Sequence, residues 1–377
     1  MRAPLTRTRS TGFTLIEMMV GMALGLITTV IIAQVMINAE GNRHTTSSGS
    51  DAQINGALAL YSLSRDLQGA GYGLISHGAA LGCPIVAKYG SNASLAFTLA
   101  PATITVDSSG NPTLRTLSSG RSSFSVPMTV KTDHAQNGSV FTVNSSTGVS
   151  EGDLMMAIPL VWSNTLWCTA FQVVSSGAQA LSATSIPHTS GSGAAWNPVT
   201  TASLMPTAGY IANASYIVNL GQIVYREYQL SNQNLVMREL QSNGTLGADQ
   251  TLATGIVSMR VLYGKDTSST KDGVVDAYDT TTPTTPDAWS RVLTVRIALV
   301  ARSAVREKDA VTTTDPRWDV GTATTVTGTV NCPDSDTRQC LVLTMPRSSS
   351  TDTEWQHYRY KVYDTVVPLR NVLWSAV

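Results

Sequence analysis

The spacing of apolar and polar positions divides the chain into three stretches. From Phe13 to Ile37 the run FTLIEMMVGMALGLITTVIIAQVMI carries one ionisable side chain, Glu17. At about 1.5 Å rise per residue these 25 residues form a helix of roughly 37 Å, enough to cross a hydrocarbon core of about 30 Å. The pattern predicts a membrane helix. Polarity then rises: Gly41 and the run Thr45-Thr46-Ser47-Ser48-Gly49-Ser50 weaken the helix, and Asp51 is placed to cap a renewed one. In that second helix Ile54, Ala57, Leu58, Tyr61, Leu63 and Leu67 recur mostly at intervals of three and four, which predicts an amphipathic face, and Gly69-Ala70-Gly71 closes it.

From Ala80 to about Thr200 short alternating runs sit between Gly, Ser and Asn clusters. Ser123 to Val130, Ser139 to Val143, Leu154 to Ile158 and Leu166 to Val174 read as strands, and Ser175 to Gly193 as loop. From Tyr210 onward the strands are better defined: Gln222 to Leu230, Asn234 to Leu240, Gly255 to Tyr263, Val292 to Arg302 and His357 to Pro368. Ser231-Asn232-Gln233 turns the first two into a hairpin. The expected fold is α+β, a long N-terminal helix packed on an antiparallel sheet with an inserted β-rich subdomain. The expected boundaries are 1–12 leader, 13–37 membrane helix, 38–73 amphipathic helix, 74–205 β-rich insertion and 206–377 sheet domain.

Charge narrows the function classes. Lys plus Arg and Asp plus Glu number 25 each, so the formal net charge is zero and no basic surface for nucleic acid is implied. The leader is an exception: Arg2, Arg7 and Arg9 with no acidic residue orient it to the cytoplasm, sending the remainder across the membrane. Four cysteines then lie where disulfides persist, and three connectivities are possible. The favoured one joins Cys332 to Cys340, a short loop closed around Pro333-Asp334-Ser335-Asp336, and Cys83 to Cys168. A four-Cys zinc site lacks any CxxC pair.

A carboxylate inside an apolar span is costly, so Glu17 needs a partner. Gly12-Phe13-Thr14-Leu15-Ile16-Glu17, behind a short basic leader, resembles the class III signal of type IV prepilins and type II secretion pseudopilins. The resemblance implies cleavage by a prepilin peptidase between Gly12 and Phe13 and N-methylation of Phe13. Glu17 falls on the family's assembly glutamate. A glycine there leaves the backbone open, and cutting before the apolar run retains it, unlike a secretory signal. The new amine of one subunit is a fitting partner for Glu17 of a neighbour, fixing register between helices. The rival is an ordinary anchor whose Glu17 snorkels to the headgroups.

Leu58 to Gly73, LALYSLSRDLQGAGYG, and the ending HYRYKVYDTVVP before Leu369-Arg370-Asn371 resemble the PilW-type minor pilins. Arg65 and Asp66 within the first are expected to face water. The resemblance implies a subunit of the initiating or tip complex of a type IV pilus, held in the bacterial inner membrane with a periplasmic domain before reaching the pilus. Its implied partners are other minor and major pilins, the peptidase, the inner-membrane assembly machinery and a tip adhesin. A J-type pseudopilin of type II secretion and a tip-located binding module are the alternatives.

No catalytic motif competes. There is no HExxH or GxxxxGK[ST], and no cofactor is implied. The five histidines, His44, His77, His134, His188 and His357, stand apart in polar sequence and are expected at the surface. Trp162, Trp167, Trp289 and Trp374 beside apolar strand residues are expected in the core. Asp266, Asp272, Asp276 and Asp279 around Gly273 form the one weak metal candidate, against which stand the absent EF-hand spacing and Lys271 among the carboxylates. A solvated acidic turn is the preferred reading.

Overall fold

One helix, α1 (Leu15–Gly69), runs unbroken for 55 residues. The computed structural model describes residues 12–74, 78–121, 126–191, 193–198, 204–322 and 325–370, leaving side chains at 41, 42 and 44–48 undescribed. The leader arginines, His77, Ser123 to Ser125, Asn371 and Trp374 therefore lie outside the described residues, as does the side chain of His44. The expected interruption at Gly41 to Ser50 does not occur. Serine and threonine cost only tenths of a kcal/mol each in a helix and glycine about 1 kcal/mol, no proline intervenes, and helix on both sides removes the cost of a new nucleus. Asp51 is thus an interior residue rather than a cap.

The buried face of the second half also differs from the expectation. Ala52, Gly56, Ala59, Leu63 and Leu67 face the domain, whereas Ile54, Leu58 and Tyr61 point outward at 61%, 49% and 65% exposure. Small residues let the helix backbone approach the sheet: a Cβ on Gly56 would lie 2.4 Å from Cε2 of Tyr363. At the end of α1, Gly71 donates its N–H to the carbonyl of Leu117 at 2.7 Å. Gly73 follows with φ of 71°, and a Cβ there would meet Ser119 at 2.7 Å, so this turn needs glycine twice over.

The strands are β1 (Pro84–Ala87), β2 (Leu95–Thr98), β3 (Ala102–Val106), β4 (Pro112–Ser119), β5 (Met128–Thr129), β6 (Val140–Thr142), β7 (Leu154–Pro159), β8 (Cys168–Gln172), β9 (Ser185–Pro187) and β10 (Ser215–Gly221). There follow β11 (Ile223–Ser231), β12 (Asn234–Glu239), β13 (Gln250–Thr254), β14 (Ile256–Lys265), β15 (Ala277–Asp279), the short helix α2 (Pro286–Ser290) and β16 (Val292–Arg302). The last are β17 (Arg317–Gly321), β18 (Thr329–Asn331), β19 (Gln339–Val342) and β20 (Tyr360–Pro368).

They form a six-stranded sheet in the order β2-β1-β8-β7-β10-β5, a five-stranded sheet β13-β12-β11-β4-β3 and a four-stranded sheet β15-β14-β16-β20. A three-stranded sheet β17-β19-β18 and the pair β6-β9 complete the set. Pairing between these strands is antiparallel except between β1 and β8. The hairpin joining β11 to β12 turns through Asn232 and Gln233, both at positive φ (50° and 61°), as a two-residue turn matched to strand twist requires.

Helix α1 lies on β20, β16, β13 and β4. Its Leu63 and Leu67 join Leu114, Tyr228, Met259, Ile297 and Leu299 in one core. The six-stranded sheet is covered on both faces: Leu154, Met156 and Ile158 of β7 enter one cluster and Met155 and Ala157 another. Burial on both sides explains why LMMAIP is apolar throughout rather than alternating. Sheet membership crosses residue 205, where composition placed a boundary. Strands β3 and β4 pair with β11, and β10 sits inside the six-stranded sheet. Pairing here follows long-range register, to which local composition is blind.

Candidate functional site

The N-terminal helix projects from the domain. Between Phe13 and Ile37 its large apolar side chains are 53–90% exposed, and none of the span Leu15–Glu40 is buried against the protein. A surface this apolar is not left to water in a soluble monomer; it marks a membrane or protein contact. Gly12 and Phe13 precede the helix as exposed, extended chain, and nothing lies within 4 Å of where a Gly12 Cβ would stand. Thr14 is the N-cap: its hydroxyl accepts from the Glu17 N–H at 3.3 Å. In return the Glu17 carboxylate accepts from the Thr14 N–H at 3.0 Å and the Thr14 hydroxyl at 2.9 Å. This capping box satisfies two orphan donors of the first turn. It also gives Glu17 a partner within its own chain, one that sequence reasoning did not anticipate although the Thr-x-x-Glu spacing announces it.

Cys83 is joined to Cys168 with Cα atoms 6.0 Å apart, and Cys332 to Cys340 at 5.0 Å. The first bond ties the chain entering β1 to β8, its parallel neighbour; the second closes the bend between β18 and β19.

The acidic loop between β14 and β15 engages its carboxylates with its own donors and nearby cations. Asp266, 1% exposed, accepts from the backbone N–H groups of Ser268, Asp272 and Gly273 at 2.9–3.1 Å, with Arg291 at 3.7 Å. Burial opposes its charged form, but those donors and the guanidinium outweigh it and hold the carboxyl below the usual range. Asp276 accepts from Thr267 N–H and the Ser268 hydroxyl, Asp272 from Val274 N–H, and Asp279 pairs with Lys265 at 2.6 Å. Among the described residues no cluster of three or more His, Cys, Asp or Glu side chains is arranged to hold a metal.

Two histidines depart from the surface expectation. His134 and His188 are 4% and 1% exposed, with Nε2 atoms 2.8 Å apart, and His134 stacks on Phe141 at 3.8 Å between ring centroids. Burial pushes His134 down to about 4; burial and then the neighbouring His134 push His188 down to about 3. Both are neutral imidazoles at physiological pH, one ring donating to the other. Sequence reasoning missed them because the two positions lie 54 residues apart and meet only through the fold.

Asp66 also departs from expectation. It accepts from Arg226 at 3.0 Å and from the Tyr228 hydroxyl, both on β11, while Arg65 faces water. Of the tryptophans, Trp289 is buried at 2% exposure and Trp162 and Trp167 are half-buried, each donating its indole N–H to a backbone carbonyl.

Comparison with known proteins adds two local matches. Residues 7–33 match the prokaryotic N-terminal methylation motif, which with the projecting helix and the β-rich domain behind it defines a type IV pilin-like protein. Residues 219–371 match the model of Type IV Pilus-assembly protein W, spanning β11 to β20 and the sheet on which α1 lies. Both matches support a type IV pilus minor pilin of the PilW type. No curated protein matches it. Among solved structures, a type IV-like pilin from Thermus thermophilus is similar at 10% identity and a TM-score of 0.31, covering 84% of this chain and 95% of that one.

Proposed function

We propose that this minor pilin enters the initiating or tip complex of a type IV pilus through α1, after cleavage between Gly12 and Phe13 and N-methylation of Phe13. The observation that carries the reading is the exposure of every large apolar side chain from Phe13 to Ile37 on a helix rooted in the domain. Such a helix has two stable settings: a bilayer before assembly, and a bundle of like helices afterwards. The outward Ile54, Leu58 and Tyr61 extend apolar contact surface past the membrane-spanning part, where only a protein neighbour covers it.

In the bundle, Glu17 of one subunit pairs with the new Phe13 amine of another, in low dielectric where a charge-assisted contact fixes register. The capping box sets the terms of that contact. Thr14 already donates twice to Glu17, so the amine joins an oriented carboxylate instead of a mobile one. The domain lies in the periplasm while the subunit waits in the inner membrane, and its partners are the other minor pilins, the major pilin and the assembly machinery.

Mass spectrometry of the membrane-extracted chain is expected to show a mature form beginning at methylated Phe13. An intact leader, or cleavage beyond Ile37, overturns the reading. Deleting the gene is expected to abolish or reduce surface pili and leave protein secretion unchanged; the reverse outcome assigns the chain to a secretion pseudopilus of the J type.

A further inference from the structure

A cleft of about 590 Å³ opens at the seam between the six-stranded and five-stranded sheets. Its floor is the start of β7, the end of β8 and the bulged passage from β10 to β11. Tyr89 and Trp196 form its apolar wall, meeting edge to face at 5.4 Å and 85°. Three contacts hold that wall in place. Gly90 donates its N–H to the carbonyl of Ala195 at 2.7 Å, Asn92 reaches the carbonyl of Asn243 at 3.0 Å, and Gly244 lies so close to Tyr89 that a Cβ would meet the ring at 2.9 Å.

The polar lining is unusual in kind. Trp196 is 6% exposed as a residue, and among the described residues its indole N–H makes no hydrogen bond and stays accessible to solvent. Gln172, Gln222 and Gln241 also face the cleft. The Gln222 amide makes no hydrogen bond among the described residues, and Gln172 makes only two long ones, at 3.4 Å to Gly152 and from Trp196 N–H. Glu151 and Asp153 at the rim are already engaged, the first by Ser175 and the second by Arg121, Ser150 and Asn219. No Lys, Arg or His lines the cleft among the described residues.

We propose that this cleft binds an uncharged saccharide of one or two rings. The Gln222 amide offers a donor and an acceptor side by side, and those of Gln172 and Gln241 keep spare capacity beyond their bonds to Gly152, Trp196 and Glu239, which matches the hydroxyl groups of a sugar, each donor and acceptor at once. The aromatic wall suits the C–H faces of a pyranose, and the volume falls within the range of small-molecule sites. With Asp153 already balanced by Arg121, the Glu151 carboxylate at the rim and the absence of any cation among the lining residues disfavour phosphorylated or carboxylated sugars. Engagement of those carboxylates by the protein removes them as ligands for a metal. The inference goes beyond the filament reading and is tested on the isolated chain, so the failure of either leaves the other standing.

The test is isothermal titration of the full chain, held in a zwitterionic detergent without a sugar headgroup, against N,N′-diacetylchitobiose, maltose and cellobiose, with glucuronate as the charged comparison. At least one neutral disaccharide is expected to bind, glucuronate is not, and Gln222→Ala is expected to weaken binding about tenfold. Gln222 is exposed, so that variant keeps its core, which circular dichroism checks. Trp196→Phe retains the ring, removes the N–H and is expected to weaken binding by a similar factor. Absence of binding by all three disaccharides, binding of glucuronate alone, or binding unaffected by both substitutions overturns the proposal.

Discussion

Asp66 on the last turn of α1 is bonded to Arg226 at 3.0 Å and to the hydroxyl of Tyr228, so one carboxylate clamps the end of the helix to the middle strand of the five-stranded sheet. Its side chain is 20% exposed and that of Arg226 is 30%, which lifts the pair above the weak surface class. Asp66→Ala leaves Arg226 half-buried without its helix partner and is expected to destabilise the domain by about 2 kcal/mol, the scale of hydrogen bonds to charged groups. Tyr228→Phe removes one donor and is expected to cost about 1 kcal/mol. Chemical denaturation of the detergent-solubilised chain measures both, and equal stability of Asp66→Ala and wild type refutes the clamp.

The buried imidazole pair makes the fold acid-sensitive. With folded values of about 4 for His134 and about 3 for His188 against an unfolded value near 6.5, the unfolded chain binds more protons across that window. The stability contributed by keeping both rings neutral is therefore complete above about pH 6.5 and is lost as pH falls toward 4 and then 3. With two protons taken up on unfolding, the slope approaches about 2.7 kcal/mol per pH unit at its steepest. Melting temperature against pH is expected to be flat from 8 to about 7 and to fall steadily below about 6; a flat profile down to pH 4.5 contradicts it.

Gly56 sets how closely α1 lies on β20. Leucine there places its Cβ against the Tyr363 ring, and the helix must lift or the ring must swing away. The expected cost of Gly56→Leu is about 1–3 kcal/mol, offset in part by better helix propensity. Leucine at Ala57, which is exposed one position along, supplies the control and is expected to change stability by less than about 0.5 kcal/mol. Comparable losses at both positions would refute close packing at Gly56 as the cause.

The two disulfides differ in the length of chain they close, 85 residues against 8. In the chain-entropy account the first contributes about 4–5 kcal/mol and the second about 2–3 kcal/mol. Replacing Cys83 and Cys168 together with alanine is expected to lower the melting temperature more than replacing Cys332 and Cys340. The opposite order would point to native-state contacts rather than loop closure.

The sequence is legible where the signal is local. Phe13 to Ile37 states its setting through composition alone, and Asn232-Gln233 between two apolar runs states a hairpin. Elsewhere the signal lies in the partner. Ile54, Leu58 and Tyr61 have the spacing of a core face, yet Ala52, Gly56 and Ala59 are buried instead, because close approach to a sheet selects small residues and frees large ones for the outside. Strands β3 and β4 escape a reading of ATITV and PTLRTLSS because threonine and serine blur the alternation that pairing with β11 then imposes. The His134 and His188 pair, and the wall of Tyr89 and Trp196, join positions 54 and 107 apart, so no window along the chain contains them.

The unbroken helix has a mechanical consequence. At about 1.5 Å per residue, α1 is a rod of roughly 80 Å whose last turns are gripped from Ala52 to Leu67. A pull along the rod loads those contacts in shear, all at once, so no single turn can peel away first. The subunit can be hauled by its tail without surrendering its head.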